Sequence, residues 1–148
     1  MSLKKKMMTT INLREYESHD FAAIVGLWEL TGLGDANRGD NAIIIERSIQ
    51  HGGKFYLLED LSTNELIGTC WITTDTRRLY LHHLGIHPNY QHRGYGRLLT
   101  QKALDFAKSK NMQIKLEVHQ ENQTALNLYR KLGFDKLEGY EVMIKRKH

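Results

Sequence analysis

At 148 residues the chain has the length of one domain, which buries roughly 70% of the surface its unfolded form exposes and therefore needs only one core. Its 41% hydrophobic and 26% charged residues exclude a disordered or fibrous chain. The formal charge of +4 sits at the ends, in Lys4, Lys5 and Lys6 and in Lys145, Arg146 and Lys147; residues 7–144 carry a net −2, which argues against a nucleic-acid-binding protein.

Met1-Ser2-Leu3 ahead of Lys4 reads as an expression remnant. Residues 1–8 are therefore expected to be a disordered tail or tag remnant, and residues 9–148 a single domain. Ile11–Glu15 reads as an opening strand. Ser18 or Asp20 is placed to cap a helix whose residues Phe21, Ile24, Val25, Leu27 and Trp28 share one broad apolar face. Gly32, Gly34 and Gly39 among polar residues make Thr31–Asp40 a loop. Asp40 or Asn41 is placed to cap a second helix to Gln50, which Gly52-Gly53 ends. Lys54–Glu59, Leu66–Thr74 and Leu79–Ile86 read as strands, joined by turns at Ser62-Thr63-Asn64 and Asp75–Arg77.

Farther along, Leu98, Leu99, Lys102, Ala103, Phe106 and Ala107 repeat at helical spacing up to a stop at Asn111. Ile114, Leu116 and Val118 alternate as a strand. Asn122 caps a helix that runs to Leu132, with Gly133 in the left-handed position. Phe134–Leu137 and Tyr140–Lys145 read as final strands. The order βααβββαβαββ predicts an α/β (α+β) fold. Its hairpins demand antiparallel neighbours and its crossover a parallel pair, which gives one mixed sheet with helices on both faces.

Cys70 is the only cysteine, so no internal disulfide forms; it lies in the apolar stretch Ile67–Ile72, where a buried, inert thiol is the expectation. No apolar run approaches the ~20 residues that span a membrane, and a cytoplasmic location is expected. The histidines include no His-x-x-x-His or Cys/His cluster with ligand spacing, so no metal is expected.

The segment Leu84–Arg97 joins a strand to a helix through Gly94 and Gly96. Those glycines let the backbone approach a ligand, and the helix start offers N–H groups and a positive dipole end to an anion. Arg93 and Arg97 add charge. A dinucleotide fingerprint requires a small residue at position 99, occupied here by Leu99, and no Gly-Lys-Ser/Thr of a P-loop occurs.

Gln91-x-x-Gly94-x-Gly96 resembles the acetyl-CoA pyrophosphate signature of the GNAT superfamily of N-acetyltransferases. Leu84-Gly85-Ile86-His87-Pro88 is similar to that family's preceding strand. Asn122-x-x-Ala125-Leu126-x-Leu128-Tyr129-x-Lys131-Leu132-Gly133-Phe134 resembles its second hallmark. The likeness is strong over residues 79–137; before them only the order of elements agrees.

The resemblance implies a mostly antiparallel mixed sheet that splays between its two parallel strands, 79–86 and 113–118, to admit acetyl-CoA. Backbone groups of Leu84, Gly85 and Ile86 would pair with the pantetheine arm. Gln91, His92, Arg93, Gly94, Tyr95, Gly96 and Arg97 would hold the pyrophosphate. Asn122 would contact the pantetheine or close its own helix, and Tyr129 would stand by the thioester sulfur as proton donor. The implied reaction is acetyl transfer from acetyl-CoA to a primary amine.

A protonated amine needs a base, and a histidine with a pKa near ~6.5 suits neutral pH. The family often carries glutamate on this strand; here His82 is the first candidate and His83 the second. Strand alternation places one on each face, and a bulge would reverse their order. The Ile86 N–H is the candidate oxyanion donor. Trp28, Asp35, Trp71, Tyr80 and Tyr140 are candidate acceptor-site residues. Similar proteins are often homodimers, though no feature specifies an interface. The competing reading is a non-catalytic acyl-CoA-binding regulatory module.

Overall fold

The computed structural model describes residues 10–35 and 39–148. The expected tail at residues 1–8 lies outside the described residues, as do positions 36–38 of the loop Thr31–Asp40. The chain divides into two compact units, one ending at Glu117 and the other spanning Val118–His148.

In the first unit, β1 (Ile11–Glu15) is followed by a 3-10 turn at Ser18–Asp20, α1 (Phe21–Thr31) and α2 (Ala42–Gln50). Next come β2 (Lys54–Asp60), β3 (Glu65–Thr74) and β4 (Leu79–Ile86). A 3-10 turn at Pro88–Tyr90, α3 (Tyr95–Lys110) and β5 (Ile114–Leu116) complete it. The strands lie in sequence order in one five-stranded sheet. β1 and β2, and the hairpin pairs β2–β3 and β3–β4, are antiparallel, and β4 pairs parallel to β5 after the α3 crossover. The mixed sheet expected from the order of elements is therefore present.

Alternation along β2 divides the core between the two faces of this sheet. Phe55 and Leu57 join Trp71 in a cluster with Ile24 and Trp28 of α1 and Ile45 of α2. On the other face, Lys102 of α3 lies over the Tyr56 ring, and a Cβ at Gly68 would meet Leu99 of α3. Helices thus cover both faces. Cys70 is fully buried, and burial pushes its thiol well above the ordinary range, which leaves it inert.

Local signals set most of the boundaries. The Asn41 side chain accepts the Ile44 N–H at 3.0 Å and starts α2. Asn111 ends α3 in the left-handed region at φ 52°. The expected cap of α1 takes another form. Asp20 directs its carboxylate to Arg14 (2.7 and 2.8 Å) and to the Glu17 N–H, and so ties the helix start to β1.

The second unit contains α4 (Gln123–Lys131), capped by Asn122 through the Ala125 N–H at 3.2 Å and followed by Gly133 at φ 95°. The strand expected over Ile114–Val118 ends at Leu116, and the strands expected at Phe134–Leu137 and Tyr140–Lys145 are not formed. Gly139 turns left-handed between the latter two (φ 81°), and Tyr140, Val142, Met143 and Ile144 are exposed. An alternating segment becomes a strand only when a neighbour supplies the ladder bonds, and among the described residues these have no such neighbour. Among the described residues no helix is long and apolar enough to cross a membrane.

Candidate functional site

The β3–β4 register breaks in the middle of the pair. Thr69 faces Gly85 and Trp71 faces His82, so Cys70 alone opposes both His83 and Leu84. This is a β-bulge, and His83 accordingly takes the left-handed region at φ 49°, unusual for a residue with a Cβ. Its carbonyl accepts the Thr69 hydroxyl at 2.8 Å, and the Thr69 oxygen accepts the Trp28 indole N–H at 3.0 Å. Two buried side chains therefore hold the bulge in place.

The bulge corrects the expectation that His82 and His83 lie on opposite faces. Both rings sit within 6 Å of the Trp71 ring, and their own centroids are 6.3 Å apart. Their surroundings differ. His82 Nε2 bonds the Thr73 hydroxyl at 2.7 Å; burial, and then the neighbouring His83, pull its pKa below the ordinary histidine value. His83 lies edge-on to Trp28, with centroids 4.8 Å apart, and its Nε2 is 3.0 Å from Asp40 Oδ1.

Beside this pair opens a cleft of about 370 Å³, lined by Trp28, Glu29, Leu33, Gly34, Asp35 and Asp40 among others. Gly34 has positive φ and packs where a Cβ would strike the Trp28 ring. Of the acceptor candidates, Trp28 and Asp35 line the cleft. Trp71 stacks behind Trp28 at 6.4 Å. Tyr80 bonds Asp75 at 3.3 Å and stacks on His82. Tyr140 is exposed in the second unit.

At the other end of β4, the ladder to β5 covers only Leu79, Tyr80 and Leu81. Gly85 and Ile86 pair with β3 on one side and Leu84 lies in the bulge; none of the three pairs with a strand on the other side among the described residues. This is the local form of a splayed sheet, and it leaves an open edge for an extended ligand.

The segment after β4 is braced from several directions. The Tyr90 hydroxyl donates to Asp60 at 2.9 Å, and Gln91 Nε2 donates to the Ile86 carbonyl at 3.0 Å. Gln91 thus spends its side chain on the turn. Arg93 lies over the Tyr90 ring. His92 (φ 63°) and Gly94 (φ 87°) are both left-handed, and Gly94 starts α3 with no side-chain cap. Open space surrounds the position of a Gly94 Cβ. The N–H groups of Tyr95, Gly96 and Arg97, which have no acceptor within α3 and lie beneath two positive-φ residues, make a cradle suited to a diphosphate.

In the second unit, Tyr129 is buried on α4, edge-on to Phe134 at 5.6 Å. Asn122 is the cap of that helix. The contact of Asp40 with His83 is the part of the site that motif reading could not supply: the two lie 43 positions apart, and no local pattern connects them.

A family model described as the acetyltransferase (GNAT) family matches residues 13–134. Solved structures share the fold. An acetyltransferase from Streptococcus agalactiae aligns with TM-score 0.76 at 18% identity, covering 94% of this chain and 92% of that one. One from Trypanosoma brucei aligns at 0.72 and 21%, covering 91% and 99%. The ribosomal-protein-S18-alanine N-acetyltransferase of Escherichia coli aligns at 0.72 and 18%, covering 86% and 79%.

Proposed function

The chain belongs to the GNAT acetyltransferase family, and from that premise we propose that it moves the acetyl group of acetyl-CoA onto a primary amine by direct attack in a ternary complex. The amine belongs to a small molecule or to a peptide or protein, and residues 9–148 act as one transferase domain. The observation that carries the reading is His83, held at the bulge of β4 against Trp28 and Asp40 beside an acidic cleft. Glu29, Asp35 and Asp40 contribute carboxylates to that cleft, and no cationic side chain lines it among the described residues. Such a lining suits a cationic amine.

A lysine-like amine, with pKa ~10.4, arrives protonated at neutral pH. His83 removes that proton, taking the first place from His82, whose Nε2 is bonded to Thr73 and whose pKa is lowered by burial. Acetyl-CoA, when bound, supplies a thioester carbonyl open to attack. The N–H of Ile86, on the open edge of β4, steadies the oxygen as it becomes negative, a contribution of ~3 kcal/mol for one such donor. Leu84, Gly85 and Ile86 hold the pantetheine arm, and the backbone of Gln91–Arg97 holds the diphosphate. Tyr129, matched to the family's motif, donates a proton to the departing sulfur. The ribosomal-protein alanine named for the Escherichia coli neighbour makes a peptide amine one acceptor to test.

The test is thiol release with acetyl-CoA across a panel of amines, amino-acid derivatives and peptides. His83→Ala should lower kcat about 100-fold or more, the scale of a lost general base, with acetyl-CoA affinity unchanged. His82→Ala should cost only a few-fold. A larger loss at His82 would restore the order that strict alternation predicts. A wild-type chain that binds acetyl-CoA and acetylates nothing would be a non-catalytic module.

A further inference from the structure

Asp40 stands immediately before the Asn41 cap, so the start of α2 fixes its backbone. Each carboxylate oxygen has its own donor. Oδ2 accepts the Asp35 N–H at 2.6 Å, and Oδ1 lies 3.0 Å from His83 Nε2. The Asp40 N–H returns a bond to the Asp35 carbonyl at 3.2 Å, which closes the loop upon itself. Both side chains of the pair are largely covered, at 15% exposure for Asp40 and 23% for His83. The imidazole is also held edge-on by Trp28, and its backbone by Thr69.

We propose that Asp40 is the positioning residue for His83: its carboxylate holds the imidazole as the Nε2–H tautomer, which leaves Nδ1 with the lone pair that takes the amine proton. This rests on the reading of His83 as the base. A carboxylate is acceptor-only, so Nε2 must be the donor in the bond to Oδ1. The proton removed from the amine then goes to Nδ1, and the imidazolium that forms keeps its Nε2–H on a negative partner. Because the other oxygen is bound to the Asp35 N–H, the same residue ties the base to the loop lining the acceptor cleft.

Asp40→Asn separates this account from a purely structural one. An amide has one acceptor oxygen, and the Asp35 N–H can only donate, so the oxygen turns toward Asp35 and the NH₂ group toward His83. Nε2 is then forced to accept, the ring becomes the Nδ1–H tautomer, and the lone pair at Nδ1 is lost. The tautomer is read directly from long-range ¹H–¹⁵N correlations of the His83 ring in the full-length chain, with His83→Gln identifying its signals.

Wild type should show protonated Nε2 and bare Nδ1, and Asp40→Asn the inverse. In parallel, kcat should fall about 100-fold or more, as for removal of a general base, with acetyl-CoA affinity within twofold. Asp40→Ser, which is too short to reach the ring, should leave a tautomer mixture and an intermediate kcat. An unchanged tautomer in folded Asp40→Asn would overturn the proposal, and so would an inverted tautomer with full kcat. Full activity in His83→Gln would instead remove the premise that His83 is the base, whatever the spectra of the Asp40 variants show.

Discussion

His82 and His83 are adjacent in sequence and both rings lie against Trp71, but their Nε2 atoms meet different partners, Thr73 and Asp40. The His82 ring is half-buried, bonded to Thr73, and shifted by burial toward its neutral form; Glu117 and Asp40 pull more weakly the other way. With its folded pKa below the unfolded value, the unfolded chain binds the extra proton first. The stability held by neutral His82 is therefore complete above about pH 6.5 and is lost as pH falls through that value. Melting temperature should drop more steeply between about pH 7.5 and 5.5 in wild type than in His82→Gln, and equal slopes would contradict the assignment.

Tyr129 calls for a different comparison. If it donates to the leaving sulfur, Tyr129→Phe should lower kcat about 100-fold, the lower end for proton-transfer groups, with acetyl-CoA affinity preserved. Equal losses in both would make it a packing residue against Phe134. Both histidines were named in the sequence as candidate bases, and Tyr129 as a candidate through the family resemblance alone. The contact between Asp40 and His83 was not legible, because it joins positions that only the packing of the α1–α2 loop onto β4 brings together.

At the scale of elements, local chemistry explains what was legible. Asn41, Asn111 and Gly133 mark helix ends because a side-chain acceptor or a left-handed residue satisfies the terminal backbone groups. Gly53 is required for close approach. A Cβ there would strike the Ile72 carbonyl and come within 2.8 Å of the Ser48 carbonyl, where α2 hands the chain to β2. Gly53→Ala should destabilise by about 1–3 kcal/mol in urea unfolding, the usual range for forced backbone shifts.

Gly26, exposed in α1 with nothing within 4 Å of a Cβ, provides the contrast. Gly26→Ala should stabilise by about 0.5–1 kcal/mol through helix propensity. Equal effects of the two substitutions would contradict the packing at Gly53. The bulge at His83 and Leu84 was not legible, because every residue of Leu79–Ile86 fits a regular strand. What interrupts it is the hydrogen bonding of Thr69 and Trp28 from other elements. The strands expected after Gly133 failed for a related reason: alternation records a preference for extended backbone and says nothing of a partner for the ladder.

For the whole molecule, the mixed sheet with helices on both faces follows from two constraints visible in the chain: short turns between β2, β3 and β4, and a helix-length crossover before β5. The geometry that matters for function is the place where that sheet stops being regular. Pairing between β4 and β5 ends at Leu81, the bulge sets His83 against Trp28 and Asp40 of the cleft lining, and α3 begins without a side-chain cap behind Gly94. The first and last of these leave backbone groups that a longer ladder or a capped helix would satisfy internally, and in the proposed function those groups are assigned to acetyl-CoA.

The most direct measurement is thermal unfolding of the full chain with acetyl-CoA, and with NADH and ATP as controls. A ligand at about 100 times its dissociation constant adds ~2.7 kcal/mol to stability. For a domain of this size that is a rise in Tm of roughly 5–10 °C. The account predicts that rise with acetyl-CoA alone. No rise at millimolar acetyl-CoA, or an equal rise with all three ligands, would contradict it and return Gly94–Gly96 to the role of a strand–helix turn.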